Sequence, residues 1–149
     1  MNISFDLDST LIPPGNEFEA EKRNFFIKFL GVEPIRIGTA KVISDLQKQG
    51  HTIHIYTTSF RSQIKIRLML FYYGIKVGKI INQSQNQRTL KNRNINASKY
   101  PPAFGFDLHI DDLKGVKMEG ERLNFKTIII KPNDKNWIEI IQKGITFEQ

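Results

Sequence analysis

Short apolar runs that alternate with helix-period segments constrain this chain more than any other feature. The runs at 2–7, 53–56, 79–82, 106–110 and 126–131 are too short for buried helices and read as strands, the third weakly. Between them, apolar residues recur at helical spacing. Residues 17–30 put Phe18, Phe25, Phe26, Phe29 and Leu30 on one stripe, with Gly31 at the position where a helix ends. Residues 39–49 turn Val42, Ile43 and Leu46 inward, and Gly50 follows. Residues 61–73 form a longer helix closed by Gly74, and residues 133–143 a final one. The polar stretch 82–96, with its NQSQNQ tract, reads as exposed loop or irregular helix. Strands alternating with helices specify an α/β fold, a parallel sheet with helices on both faces. No repeat or linker divides the 149 residues, so one domain is expected over 1–149.

Composition narrows the chemistry. Hydrophobic residues make up 40% and charged residues 25%, the profile of a soluble globular protein. With no cysteine, disulfides and thiolate metal sites are excluded. His51, His54 and His109 are scattered, so a metal would be held by oxygen, which suits magnesium better than zinc. No run approaches the roughly 20 apolar residues of a membrane span, and the first residues lack the basic-then-apolar pattern of a secretory signal. The expectation is a cytoplasmic protein with no membrane partner.

Net charge is +7, unevenly spread. Between Gln47 and Phe106 no acid occurs, while Lys48, Arg61, Lys65, Arg67, Lys76, Lys79, Arg88, Lys91, Arg93 and Lys99 do. Such a field attracts anionic ligands. The same charges would equally serve as an ordinary solvated surface.

In a parallel α/β sheet, ligands bind beyond the C-terminal ends of the strands. The first strand runs out into Asp6-Leu7-Asp8-Ser9-Thr10, the second into Thr57-Thr58-Ser59 and the fourth into Asp111-Asp112, with Lys99 on the approach to the fourth. Each has an ordinary structural reading. Asp8 and Ser9 suit a turn, Thr57 or Thr58 could cap the next helix, and Asp112 could cap a short one. Their coincidence on one rim is harder to explain structurally. Side chains alternate along a strand, so Asp6 and Asp8 lean to one site while Leu7 enters the core. Two carboxylates about 4 Å apart repel by roughly 4 kcal/mol at an effective dielectric near 20. A cation relieves that, and an all-oxygen site suits magnesium, which also takes phosphate oxygens. Lys99 would add a second positive charge.

The segments DLDST, YTTS, SKYPP and HIDD, in that order, resemble the four motifs of the haloacid dehalogenase (HAD) superfamily. The first matches the DxDx[TV] signature in full, and the resemblance spans essentially the whole chain. It implies a three-layer, Rossmann-like sheet of strand order 5-4-1-2-3, which makes Asp6 and Asp111 neighbours. The implied reaction is two-step phosphoryl transfer through an aspartyl phosphate on Asp6, with Asp8 as acid and then base. Magnesium would bridge Asp6, the Asp8 carbonyl and Asp111, with Asp112 ligating through water or orienting the site. Thr57, in preference to Thr58, would bind a phosphate oxygen, and Lys99, in preference to Lys91, would offset charge. Dehalogenases and phosphonatases of the superfamily lack the second acid of the first motif, so Asp8 favours phosphate esters. A response-regulator receiver fails on order, because its phosphorylated aspartate would end strand three, where Asn82-Gln83 stand.

The resemblance also implies a cap between motifs in many members. Neither gap here, Leu11 to Thr52 or Ser59 to Ser98, leaves room for a separate cap domain, although 13–38 could form a small flap. An uncapped site suits a bulky phosphorylated substrate. Nucleotides or nucleic-acid ends are the alternative substrates, phosphotransfer the alternative outcome, and a non-catalytic phosphate-binding module the alternative class. No known nucleic-acid-binding module is present, and Phe60, Phe71, Tyr72 and Tyr73 fall in a helix as core residues. Trp137 and Phe147 are expected to pack the last helix, His51 and His54 to be structural, and His109 is given no role.

Overall fold

The computed structural model describes residues 1–148. Five parallel strands, β1 (Asn2–Phe5), β2 (Thr52–Tyr56), β3 (Ile80–Ile81), β4 (Leu108–Asp111) and β5 (Lys126–Ile129), lie in the order β3-β2-β1-β4-β5. This is the order expected from the sequence. The chain steps outward from β1 through β2 to β3, then returns beside β1 as β4 and steps the other way to β5. With right-handed crossovers, that reversal puts the helices between β1 and β3 on one face and those between β3 and β5 on the other.

The strands alternate with period two, and the two faces have different chemistry. Register pairs Phe5 with Ile55 and with Ile110, and Ile3 with Ile53 and with Leu108. These residues are buried in one aliphatic core with Val42, Ile43 and Leu46 of α2 (Thr39–Lys48), Ile66, Met69 and Leu70 of α3 (Gln63–Tyr72), and Trp137, Ile141 and Ile145 of the last helix. On the other face Ser4 pairs with His54 and with His109. One pleat further stand Asp6, Tyr56 and Asp111. A smaller aromatic cluster of Tyr56, Ile81 and Phe106 closes that side. The site therefore grows out of the polar face, and the aliphatic face holds the sheet rigid beneath it.

Several segments differ from the sequence expectation. Residues 17–30 do not form one helix. Asn24 accepts a hydrogen bond from the Ile27 amide at 2.9 Å and starts only a short α1 (Phe25–Phe29). Before it, Ala20 bridges Arg36 in antiparallel fashion, with Glu21 N donating to Ile35 O and Ile37 N to Glu19 O. Phe25, Phe26, Phe29 and Leu30 consequently face solvent rather than core. Phe60, Phe71, Tyr72 and Phe147 are likewise exposed rather than core.

Of the two readings of the polar stretch, loop or irregular helix, residues 83–92 take the helical one and form a regular helix, α4 (Gln83–Asn92). Asn82 caps it through the Gln85 amide, and Leu90 and Asn86 are buried. Glutamine is a competent helix former, and a polar tract needs only a cap and one inward stripe. The short helix that Asp112 could cap is the ten-residue α5 (Lys114–Leu123), whose pattern Gly115 and Gly120 mask in the sequence, and its N-terminal capping position is Leu113, with no side-chain cap. Gly120 packs against the Phe125 carbonyl, where a side chain would not fit. The last described element is α6 (Trp137–Glu148).

Residues 13–38 are tied down by Arg36. Its buried guanidinium lies between the rings of Phe18 and Trp137, 4.4 and 4.9 Å from their centroids. It donates to the carbonyls of Thr10, Lys131, Pro132 and Asp134. One side chain thus fastens this segment to the turn after β1 and to the loop after β5.

Candidate active site

The first strand delivers Asp6 to the sheet's C-terminal edge. Its amide continues the ladder, donating to Ile110 O at 2.9 Å, and so sets its side chain beside that of Asp111. Leu7 turns into the core. The chain then reverses sharply: Ser9 adopts a left-handed φ of 63°, and the Leu11 and Ile12 amides both donate to Leu7 O. This turn leaves Asp8 half-exposed on the rim and buries Thr10, whose hydroxyl donates to Asp112 Oδ1 at 3.3 Å.

Lys99 is the centre of the cluster. Its Nζ donates to Asp6 Oδ1 and to Asp111 Oδ2, each at 2.6 Å, and the side chain is almost wholly buried. The backbone that presents it is held from three directions. Glu119 of α5 accepts from the Ser98 amide and hydroxyl and from the Lys99 amide. Asn86 of α4 donates to Ser98 O. The Tyr100 amide donates to the Tyr56 hydroxyl, which in turn donates to Asn86.

Behind Lys99 lies His109, which the sequence reading left without a role. Its Nε2 is 2.9 Å from Asp111 Oδ2, and its Nδ1 is 2.9 Å from the Ser4 hydroxyl. The pattern fits a neutral ring with Nε2–H donating to Asp111 and the serine hydroxyl donating to Nδ1. Burial, aided by the charge on Lys99, lowers its pKa and keeps it neutral. The signal was available: residues two apart on a strand share a face, so His109 had to lie on the same side as Asp111.

Asp111 is fully buried and both of its oxygens are engaged. Oδ2 accepts from Lys99 and His109, and Oδ1 accepts from the Leu113 amide at 2.9 Å. Burial alone would raise its pKa, but the hydrogen bond from His109 and the charge on Lys99 outweigh it and lower the value. Asp6 goes the other way. Burial, reinforced by Asp111 and Asp8, overcomes Lys99 and pushes it up to about 7. Its Oδ2 accepts from no described residue. Asp112 is half-buried; burial and the nearby Asp111 raise it.

Of the two threonines after β2, Thr57 is buried at the strand end and Thr58 is exposed. Thr57 Oγ1 accepts from the Ser59 amide at 3.1 Å, which leaves its hydroxyl proton to donate. Arg61, named in the sequence only as one of ten cations, enters the site directly. Its Nη1 donates to Asp8 Oδ2 at 2.8 Å, while Nε and Nη2 grip Glu33.

Whether a divalent ion suits these acids turns on Lys99. Among the described residues no three His, Asp or Glu side chains converge as a ready metal cage. The ammonium sits between Asp6 and Asp111, and three donors fill most of the acceptor sites of Asp111, leaving one open on Oδ1. Asp6 Oδ2 accepts from no described residue, and oxygens of the kind that Asp6, Asp112 and the Asp8 carbonyl offer are the donors a hard cation takes. The surplus of carboxylates over the two cations, Lys99 and Arg61, favours such an ion.

No protein-family model matches the chain. No curated protein matches it either. Among solved structures, one chain of the Pnkp1/Rnl/Hen1 complex superposes with a TM-score of 0.56 at 14% identity, over 87% of this chain. This chain spans 45% of that one. A predicted HAD-like family hydrolase from Porphyromonas gingivalis superposes with a TM-score of 0.53 at 16% identity, over 99% of this chain and 98% of its own. The fold is HAD-like. In the HAD-like frame, Asp6, Thr57, Lys99 and Asp111, one from each motif-like segment, lie along one rim formed by β1, β2 and β4.

Proposed function

We propose that the chain is a magnesium-dependent phosphohydrolase that works through an aspartyl phosphate on Asp6. The observation that carries this reading is the state of Asp6: a buried carboxylate held by Lys99 at one oxygen, with the other free at the C-terminal edge of the sheet. Asp6 Oδ2 attacks phosphorus, the bond from phosphorus to the ester oxygen breaks, and the Asp8 carboxyl gives its proton to the leaving oxygen. Water then attacks the same phosphorus and loses a proton to Asp8. The bond to Asp6 breaks and inorganic phosphate leaves.

Lys99 keeps Asp6 Oδ1 fixed and offsets charge as the acyl phosphate forms. Thr57 donates its hydroxyl proton to a phosphate oxygen, with Thr58 exposed to solvent beside it. The ion would be held by Asp6, the Asp8 carbonyl and Asp112, and when bound it supplies positive charge that keeps Asp6 ionised and neutralises the phosphoryl oxygens. Asp111 acts from behind, as the acceptor that fixes Lys99.

The acid-free stretch that carries Lys99 suits an anionic substrate, and the open rim suits a bulky one. The test is a screen of p-nitrophenyl phosphate, sugar phosphates, nucleotides, phosphopeptides and phosphorylated oligonucleotides, with magnesium and with chelator. Turnover is expected only with magnesium and is abolished in a folded Asp6→Asn variant. Turnover by that variant, or turnover in chelator, would reject the reading.

A further inference from the structure

Asp8 has one described side-chain partner, Arg61, and Arg61 is itself held elsewhere. Nε and Nη2 of Arg61 donate to Glu33 Oε2 and Oε1 at 2.6 and 2.7 Å, a two-pronged grip that fixes the guanidinium plane. Only Nη1 is turned to Asp8, at 2.8 Å. The main chain on both sides is pinned as well. The Arg61 amide donates to Ser59 Oγ, Asn82 Nδ2 donates to Arg61 O, and the Tyr73 hydroxyl donates to Glu33 O at 2.9 Å.

The fold has little need of the Asp8 contact. The Asp8 side chain is 47% exposed, and exposed ion pairs contribute only about 0–1 kcal/mol. What the contact does set is direction. Asp8 stands on a turn whose next residue, Ser9, is left-handed, and no other described side chain holds it. With Oδ2 tied to Nη1, Oδ1 is the oxygen left to meet the leaving group. A reacting group fixed in place works far better than one that samples its rotamers.

We propose that Arg61 is the positioning residue for the Asp8 carboxylate and that Glu33 holds Arg61 in that role, so that the 13–38 segment governs how well Asp8 protonates the leaving oxygen. This rests on the phosphohydrolase reading above. It adds two residues from outside the four motif-like strand ends and gives the segment a part in the chemistry. Arg61 acts through Asp8 and is not itself placed on the substrate.

The consequence is selective. An ester whose leaving oxygen departs readily as an anion needs little protonation, whereas an alkoxide needs much. The measurement is kcat/KM, which reports transfer of the phosphoryl group to Asp6. It is taken with magnesium across aryl phosphates of graded leaving-group acidity plus one alkyl phosphate, for wild type, Arg61→Ala, Arg61→Lys, Glu33→Gln and Asp8→Asn. Circular dichroism confirms folding of each.

Arg61→Ala is expected to lose about tenfold or less on p-nitrophenyl phosphate and about a hundredfold or more on the alkyl ester, within the usual span of general acid catalysis. Arg61→Lys and Glu33→Gln should fall between it and wild type, and they carry the test if Arg61→Ala does not fold. In an Asp8→Asn background, removing Arg61 should add no further leaving-group dependence. Equal losses on every ester, or a full extra penalty in the Asp8→Asn background, would overturn the inference while leaving the phosphohydrolase reading intact. A wild-type protein inert to the whole series would overturn both.

Discussion

The Lys99 ammonium donates to Asp111 Oδ2 at 2.6 Å, and that contact leaves Asp111 more heavily engaged than its neighbour Asp112. Once Lys99, His109 and the Leu113 amide are counted, Asp111 has three of its roughly four acceptor sites filled. Asp112, its half-buried neighbour, is the more open one. Two adjacent aspartates thus divide two tasks, one holding the lysine and one facing the rim.

This division is testable with conservative variants. Asp112→Asn should weaken magnesium binding by at least about tenfold, the usual cost of losing a ligand or its close support, and leave the metal-free melting temperature nearly unchanged. Asp111→Asn should do the reverse in part, lowering the melting temperature strongly because Lys99 loses a buried counter-charge. Magnesium titration by calorimetry and thermal melts would check both. A large magnesium defect confined to Asp111→Asn would contradict the assignment.

Lys99→Met should be costly to the fold. It leaves Asp6 and Asp111 facing each other in a buried site, and removing one partner of a buried ion pair costs about 3–5 kcal/mol. Urea unfolding of the metal-free protein reads this directly. A loss below about 1 kcal/mol, the scale of an exposed pair, would mean that the acids are not close enough to need the lysine.

The sequence made the sheet legible because its strands announce themselves twice. Ile3-Ser4-Phe5 and Leu108-His109-Ile110 alternate aliphatic and polar residues, and each runs into aspartates. The strand ends Asp6, Thr57 and Asp111 were readable for that reason. Arg61 and Glu33 were not, because their meeting depends on how the loop after β2 and the 30–33 segment fold back, which no period encodes. The Phe25–Leu30 stripe misled for a different reason. Its spacing is helical, but Asn24 starts a helix there too late to reach the core.

Stability should depend on pH through Asp6. Its pKa is raised from the ordinary 3.8 to about 7, mainly by burial. The folded protein therefore binds a proton between those values that the unfolded chain does not, so this contribution is present below about pH 4 and is lost as pH rises towards 7. His109 has the opposite sign: it is kept neutral when folded, so stability falls as pH drops below its unfolded value. Comparing melts of metal-free wild type and Asp6→Asn from pH 5 to 8 isolates the first effect. The variant should gain on wild type as pH rises. A constant difference across that range would contradict a raised Asp6.

His109→Leu should cost about 1–3 kcal/mol, the penalty for leaving a buried acceptor and donor short of partners. The acceptor is Asp111 Oδ2 and the donor the Ser4 hydroxyl. Urea unfolding measures the loss, and a neutral substitution would reject a structural role for the ring.

The most direct measurement traps the covalent intermediate. Wild-type protein turning over a phosphate ester with magnesium is quenched with borohydride, which reduces an acyl phosphate to an alcohol, and the peptide containing residue 6 is analysed by mass spectrometry. The account requires reduction at Asp6, dependent on both substrate and magnesium and absent in Asp6→Asn. Steady turnover with no modification at residue 6, or with reduction at another acid, would contradict it.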